Sequence, residues 1–124
     1  KPLKSLLFMP EERIALAKQA MSEFPNVSVV GYSGLTVTFA KEIGIDAIVR
    51  GLRVFSDFEF EFRMALANKR LNKSIDTIAL ITSEENTFLS SSTVKEIASF
   101  GGDVSSMVPP YVDEALKRRY RELG

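Results

Sequence analysis

The sequence contains no cysteine, no histidine and no tryptophan among its 124 residues. Without cysteine the chain forms no disulfide and offers no thiolate to a metal ion. Without histidine it has no imidazole to act as a base, a metal ligand or a pH-sensitive group. The common Ser-His and Cys-His catalytic arrangements are therefore excluded within this chain, and we expect no metal site built from its own side chains.

Net charge and long apolar runs are also lacking. Sixteen basic residues balance sixteen acidic ones, so no overall field draws the molecule to nucleic acid or to an anionic membrane. No apolar run approaches the roughly 20 residues that cross a bilayer, and no secretory signal pattern opens the chain. We expect a cytoplasmic protein without nucleic-acid or membrane partners. The basic residues at 117–121 fit the solvated end of a helix.

The pattern of apolar residues alternates between helical and extended spacing along the chain. Strands are predicted at residues 27–30, 45–49 and 75–81, and helices at 10–24, 35–43, 56–71, 90–100 and from Pro110 onward. Ser56 and Glu59 have the spacing of a capping box for the third helix, which is apolar over most of its circumference. Near-continuous apolar strands that alternate with helices predict a doubly wound, parallel α/β sheet in a single domain over residues 1–124.

Ligands of open parallel sheets bind beyond the carboxyl ends of the strands. The segments expected there are residues 1–8, 31–36, 50–57 and 82–92, so we expect these four loops to gather at one edge. Between them they carry cations (Lys4, Arg50, Arg53), glycines (Gly34, Gly51) and a run of hydroxyls (Ser90, Ser91, Ser92). This combination of residue types suits an anionic ligand with several oxygens.

Two segments within these loops indicate phosphate binding. In Arg50-Gly51-Leu52-Arg53 two guanidiniums flank a glycine; the alternative is that the arginines are solvated or paired with Asp57 and Glu59. The run from Ser90 to Thr93 leads a helix whose free N–H groups favour a phosphate. The alternative there is helix capping, with Thr93 and Glu96 as a capping box.

Other candidate residues have structural alternatives too. Glu61, Ala65 and Asn68 share one helical stripe, where Glu61 either accepts hydrogen bonds from a ribose or base or is simply solvated. The phenylalanines follow helical spacing without interleaved arginines, which favours core packing over a nucleic-acid stacking platform. A Walker-type Gly-x-x-x-x-Gly-Lys and a Gly-x-Gly-x-x-Gly are both lacking, which counts against P-loop kinases and dinucleotide dehydrogenases.

Several long segments, in order, resemble the signature of bacterial phosphopantetheine adenylyltransferases, which are Rossmann-like nucleotidyltransferases. They cover essentially the whole chain and include Val49-Arg50-Gly51-Leu52-Arg53, Ser56-Asp57-Phe58-Glu59-Phe60-Glu61, Met64-Ala65-Leu66-Ala67-Asn68-Lys69, Phe88-Leu89-Ser90-Ser91-Ser92-Thr93, Gly101-Gly102-Asp103-Val104 and Val108-Pro109-Pro110. Pro2-x-Lys4 fits the early loop of that family.

The resemblance implies transfer of AMP from ATP to 4′-phosphopantetheine, with Mg²⁺, giving dephospho-coenzyme A and pyrophosphate in coenzyme A biosynthesis. It implies Lys4 and Arg53 as catalytic residues. It implies that the acceptor is held by Lys4, Leu35, Thr36, Arg50 and Asn68. It implies that ATP is held by Gly51, Leu52, Arg53, Glu61, Asn86, Thr87, Phe88, Leu89, Ser90, Ser91 and Ser92. The resemblance further implies binding of coenzyme A or dephospho-coenzyme A. It also implies assembly as a homohexamer, as is typical of the family, which would explain the nearly all-apolar helix at residues 57–71.

The chain departs from the family pattern in three places, of which the smallest is Val54 in place of the usual alanine. The Thr-x-x-x-Pro loop and the Gly-His pair of the family's first strand and helix have no counterpart here, so we expect this segment by itself to be a poor catalyst. Asn86 stands where an aromatic residue is common, which puts adenine stacking in doubt. Two alternatives stay open: a sister adenylyltransferase acting on another acceptor such as nicotinamide mononucleotide, and a non-catalytic nucleotide-binding module that forms oligomers.

Overall fold

The computed structural model describes residues 6–124, which fall into two compact units. One unit is Tyr32–Phe88, and the other joins the described residues up to Gly31 with Leu89–Gly124. The elements in chain order are α1 (Pro10–Ala20), α2 (Thr36–Glu42), β1 (Ala47–Leu52), α3 (Phe55–Leu71), β2 (Asp76–Ile81), a 3-10 turn (Glu84–Asn86), α4 (Ser91–Ser99) and α5 (Pro110–Leu123).

The unit Tyr32–Phe88 is built on a β-α-β arrangement. Strands β1 and β2 pair in parallel, with Ala47 opposite Asp76 and Leu52 opposite Ile81. Parallel neighbours need a long crossover connection, and α3 supplies it while packing against both strands. The core on which this arrangement rests consists of Val37, Ala40, Ile75 and the partly buried Ile48. The predicted α/β class with parallel strands is therefore confirmed.

The other unit is helical in its described part and has its own core. Val94 of α4, Val104 and Leu116 of α5 form one buried cluster, which Leu7, Phe8, Met107 and other partly buried apolar residues surround. The Nε of Arg119 donates a hydrogen bond to the Leu7 carbonyl at 2.9 Å, which holds residues distant in sequence together.

The strand predicted at residues 27–30 is wrong. These residues lie outside any strand, and Val27 and Val30 are 42% and 59% exposed. β-Branched residues favour an extended chain, but a strand also needs a neighbour to satisfy its N–H and C=O groups. In the described part of the chain β1 pairs with β2 alone, so the valine run has no ladder to join.

The start of α3 and its aromatic residues also differ from expectation. The helix begins at Phe55, after Val54, so Ser56 and Glu59 do not form the predicted capping box. Its phenylalanines do not enter a core, because Phe55, Phe58, Phe60 and Phe62 are each about half exposed or more. Helical spacing identified an apolar face, but it does not tell whether a second surface covers that face.

Within residues 6–124, none of the helices combines the length and the apolar character that crossing a bilayer requires.

Candidate functional site

A pocket of about 140 Å³ lies at the face of β1, β2 and α3 within the unit Tyr32–Phe88. We call it the Arg50 pocket. Its lining consists of Tyr32, Thr36, Ile48, Arg50, Phe60, Glu61, Met64, Ala65, Asn68 and Thr77. Ile48 and Arg50 are two residues apart in β1 and therefore share one face of the strand. The lining residues of α3 form one helical stripe. The stripe predicted from Glu61, Ala65 and Asn68 is therefore confirmed. The pocket brings three predicted acceptor residues (Thr36, Arg50 and Asn68) together with Glu61, a predicted ATP residue.

Arg50 and Glu61 form a paired, two-point contact in this pocket. The Nε of Arg50 donates to Glu61 Oε2 at 2.6 Å, and its Nη2 donates to Oε1 at 3.0 Å. The hydrogen bond to Glu61 raises the pKa of Arg50, so the guanidinium keeps its charge. The side chain of Arg50 is 55% exposed, whereas that of Glu61 is 11% exposed. The pocket therefore presents a fixed cation that still faces solvent.

Two residues with hydroxyl groups line the same pocket as this cation. Tyr32 and Thr36 share a hydrogen bond of 2.5 Å between their hydroxyl oxygens. The Tyr32 ring stacks on Phe39 of α2 with centroids 4.5 Å apart and an interplanar angle of 2°, which fixes the ring. A cation, two hydroxyls and the Asn68 amide in one small pocket suit a phosphate bearing a polar arm.

Sequence reasoning missed several members of this pocket. Tyr32 lies in the loop at residues 31–36 that is expected to carry ligand groups, yet the sequence pattern gives no signal that distinguishes its hydroxyl. Phe60 and Met64 follow from the helical spacing of Glu61 and Asn68, since their neighbours on the same stripe must line the same space. Ile48 and Thr77 are opposite each other in the register of β1 and β2, a pairing that only the sheet reveals.

Arg53, the second arginine of Arg50-Gly51-Leu52-Arg53, pairs with a different carboxylate, that of Asp57. Arg53 donates to Asp57 from its backbone N–H at 3.1 Å, from Nε at 3.0 Å and from Nη2 at 3.2 Å. These bonds lower the pKa of Asp57, the side-chain hydrogen bond with Arg53 being the main cause. The alternative that the two arginines pair with carboxylates of the chain is therefore correct for Arg53, whose partner is Asp57. It is wrong in naming Glu59, because the carboxylate that pairs with Arg50 is Glu61.

Three other predicted binding residues, Leu35, Gly51 and Leu52, lie outside the lining of the Arg50 pocket. Leu35 precedes α2 and is 62% exposed, outside the lining of the Arg50 pocket. The prediction that Arg50 and Gly51 lie in a loop after the strand is wrong, because the parallel pairing with β2 extends β1 to Leu52. A Cβ placed on Gly51 would meet nothing within 4 Å. The side chain of Leu52 is buried, so only its backbone is suited to contact a polar ligand, and its carbonyl already accepts from the Thr82 N–H at 2.9 Å.

The segment from Asn86 to Phe88 follows β2 and is internally bonded. Asn86 Nδ2 donates to Ser83 Oγ at 3.1 Å, and Thr87 Oγ1 donates to the Glu84 carbonyl at 2.9 Å. The Phe88 side chain is 51% exposed. This turn therefore has a defined backbone and an exposed aromatic ring.

The serine run lies in the other unit, at the start of α4. Ser90 is the N-cap of α4, since its Oγ accepts a hydrogen bond from the Thr93 N–H at 3.1 Å. A serine thus caps the helix, but the predicted capping box of Thr93 and Glu96 is wrong. A cavity of about 670 Å³ in this unit has Leu89, Ser90 and Ser91 in its lining, together with two cationic residues that sequence reasoning missed, Arg13 and Lys95. Its lining is otherwise mainly apolar.

The predicted ATP residues are thus divided between the two units, with those up to Phe88 in one and Leu89, Ser90, Ser91 and Ser92 in the other. Lys4 lies outside the described residues. The gathering of the four loops at one edge stays a prediction, as do the roles given to the individual residues.

Residues 2–97 match the model of the cytidylyltransferase-like family, which is consistent with the Rossmann-like α/β fold. Over 121 residues the chain is 50% identical to a phosphopantetheine adenylyltransferase of Caldanaerobacter subterraneus subsp. tengcongensis, covering 98% of this chain and 76% of the relative. The corresponding enzyme of Methylococcus capsulatus is 51% identical, over 98% of this chain and 75% of the relative.

A phosphopantetheine adenylyltransferase of Herpetosiphon aurantiacus is 48% identical over 98% of this chain and 73% of its own length. The chain therefore belongs to the cytidylyltransferase-like family and, within it, to the phosphopantetheine adenylyltransferase family of nucleotidyltransferases.

Proposed function

We propose that this protein transfers AMP from ATP to 4′-phosphopantetheine and so makes dephospho-coenzyme A and pyrophosphate in the cytoplasm. The relatives at about 50% identity support this assignment by their names. The observation that carries it on this chain is the Arg50 pocket, which is lined by an exposed guanidinium together with Thr36 and Asn68. A phosphate on a polar arm is the ligand that such a set of donors recognises.

The reaction requires no covalent intermediate on the protein. A phosphate oxygen of the acceptor attacks the α-phosphorus of ATP, the new P–O bond forms, and the bond to the bridging oxygen of the β-phosphate breaks to release pyrophosphate. Catalysis then depends on holding two polyanions in line and on neutralising charge as the transition state forms.

The residues divide between the two substrates in this proposal. Arg50, Thr36, Asn68 and Leu35 hold the acceptor. ATP is held by Gly51, Leu52, Arg53, Glu61 and the segment 86–92, where the capped start of α4 offers backbone N–H groups to a phosphate. Lys4 and Arg53 neutralise charge on the reacting phosphates.

Mg²⁺ enters this scheme as part of the ATP substrate. Among residues 6–124 no three acidic side chains cluster in a way that could hold a metal ion. Mg²⁺ commonly binds through substrate phosphates and retains several waters, so ATP itself can bring the ion to such a site.

We also propose that the protein assembles as a homohexamer through α3. The exposed fraction is 80% for Phe55 and about half for Phe58 and Phe62, whose rings stack with centroids 5.8 Å apart. A contiguous aromatic surface of this kind is typical of a protein–protein interface. A second copy of the same chain is the partner that the family assignment favours.

The decisive experiment measures pyrophosphate release from ATP by the protein as its gene encodes it, with 4′-phosphopantetheine and with nicotinamide mononucleotide as acceptors. We expect turnover with phosphopantetheine alone and formation of dephospho-coenzyme A. Turnover with nicotinamide mononucleotide alone would instead indicate a sister adenylyltransferase. ATP binding by calorimetry without turnover of either acceptor would indicate a non-catalytic module.

The Lys4→Ala variant tests whether Lys4 acts in catalysis or only in substrate binding. Lys4→Ala should lower kcat much more than it raises the KM for ATP, because the proposed contact strengthens as the transition state forms. Equal effects on both quantities would assign Lys4 to substrate binding only.

A further inference from the structure

The contact between Arg50 and Glu61 joins two residues that the family resemblance assigns to different substrates. Arg50 is expected at the acceptor and Glu61 at ATP, yet each is the other's hydrogen-bond partner at 2.6 and 3.0 Å. Glu61 is nearly buried on α3 and Arg50 is half exposed on β1. The carboxylate is thus the fixed member of the pair, and the guanidinium is the member within reach of a ligand.

The geometry leaves a defined part of the guanidinium available. An arginine side chain has five N–H donors in a planar fork. Glu61 takes the edge formed by Nε and Nη2. The remaining N–H groups on Nη1 and Nη2 form the end of the fork, and that end has the spacing for two parallel hydrogen bonds to phosphate oxygens.

We propose that Glu61 is a positioning residue for Arg50, holding one edge of its guanidinium so that the other edge binds the phosphate of the acceptor. This inference rests on the proposed function and adds a role for Glu61 on the acceptor side, through Arg50. A free arginine would lose rotamer freedom on binding phosphate, and the bond to Glu61 removes that freedom before the ligand arrives. The surrounding lining of Tyr32 and Phe60 limits the directions in which the ligand can approach.

The test is Glu61→Gln, which keeps the size of the side chain but removes the charge that holds the guanidinium. We expect the KM for 4′-phosphopantetheine to rise about tenfold, as for the loss of a hydrogen bond to a charged group, in addition to the rise in the KM for ATP that follows from the ATP contact proposed for Glu61. The matched control is Glu59→Gln, which removes the same charge from an exposed position of α3 outside the pocket and should change neither KM. Thermal unfolding of each variant checks that the fold is retained.

A double-mutant cycle that combines Glu61→Gln with Arg50→Lys tests whether Glu61 acts through Arg50. The measured quantity is the KM for 4′-phosphopantetheine, in which a merely structural role of Glu61 would produce no coupling with Arg50. Lysine has no fork to orient, so Glu61→Gln should add little to the effect of Arg50→Lys on the acceptor KM. Full additivity of the two effects would overturn the proposal. A rise in the KM for ATP with an unchanged acceptor KM would also overturn it and assign Glu61 to ATP alone.

Calorimetry separates this inference from the proposed function. We expect wild-type protein to bind 4′-phosphopantetheine in the absence of ATP, and Glu61→Gln to weaken that binding by the same factor of about ten. Binding without any AMP transfer would overturn the proposed function and leave the positioning role intact. No binding by the wild type would overturn both, and equal binding by wild type and Glu61→Gln would overturn the positioning role alone.

Discussion

Asp57 accepts hydrogen bonds from both the backbone N–H and the Nε of Arg53, at 3.1 and 3.0 Å. Asp57 lies in the first turn of α3, where the positive end of the helix dipole also favours its negative charge. The carboxylate therefore ties the end of β1 to the start of α3, and it holds in place the second arginine of the Arg-Gly-x-Arg segment.

This contact makes stability depend on pH in the acid range. The bonds from Arg53 lower the pKa of Asp57 in the folded protein relative to the unfolded chain. The unfolded state then binds more protons, so the contribution is present above the ordinary aspartate pKa of about 4 and is lost as pH falls through the lower folded value. Urea unfolding between about pH 5 and pH 2 should show a shallower loss of stability for Asp57→Asn than for wild type.

Asp46→Asn is the control for this measurement, since it removes an exposed carboxylate from the same unit. If Asp57→Asn followed the same pH dependence as wild type, the contact with Arg53 would contribute nothing to stability in solution.

The hydroxyl of Tyr32 should contribute to acceptor binding. Tyr32→Phe keeps the ring that stacks on Phe39 but removes the hydroxyl bonded to Thr36. We expect the KM for 4′-phosphopantetheine to rise about fivefold, as for a lost neutral hydrogen bond, with the KM for ATP unchanged. Steady-state kinetics checks this, and Tyr111→Phe, in the other unit, is the control. An unchanged acceptor KM would show that Thr36 does not need its hydroxyl partner.

The aromatic face of α3 should be required for assembly. Phe62→Glu places a charge on a side chain that is 53% exposed in the single chain, so the isolated fold should tolerate it. Burial of that unpaired charge in a subunit interface is costly, so the variant should sediment as a smaller species than wild type. Phe100→Glu, at a residue 87% exposed in the other unit, should leave the sedimentation coefficient unchanged. Identical sedimentation of Phe62→Glu and wild type would exclude this face as the interface.

The core of the helical unit depends on Leu116. Its side chain is 3% exposed and packs with Val94 and Val104. Leu116→Ala should lower the free energy of unfolding by about 2–5 kcal/mol, through lost burial and the cavity it leaves. Leu123→Ala is the control on the same helix, because that side chain is 61% exposed and should cost little. Denaturant titration compares the two, and equal losses would contradict the assignment of the core.

The end of α4 requires a left-handed residue at Gly101. Its φ is +78°, and its N–H and that of Gly102 bond back to the carbonyls of Ala98 and Ile97. Gly101→Ala should destabilise the protein by about 1–2 kcal/mol, since a Cβ disfavours this conformation. Gly101→Asn should cost less, because asparagine tolerates positive φ. Thermal or urea unfolding tests the order, and a larger loss for asparagine would mean that space rather than conformation limits the site.

The amino-acid sequence by itself determined the class of the fold and the family, and it predicted part of the lining of the Arg50 pocket. Apolar periodicity identified α3, β1 and β2, and the helical stripe of Glu61, Ala65 and Asn68 placed three pocket residues on one face. These inferences succeed because local spacing dictates which side chains share a face of a helix or strand. Long motifs in a constant order then specified the family more closely than any single residue could.

Tertiary structure alone decided which charges meet and which strands pair. Arg50 is eleven residues from Glu61, and only the crossover of α3 onto β1 brings that carboxylate, rather than Glu59, to the guanidinium. The valines at 27–30 have strand propensity but no neighbour, so the described chain leaves them outside the sheet. Both outcomes depend on contacts between residues far apart in the chain, and local spacing carries no information about such contacts.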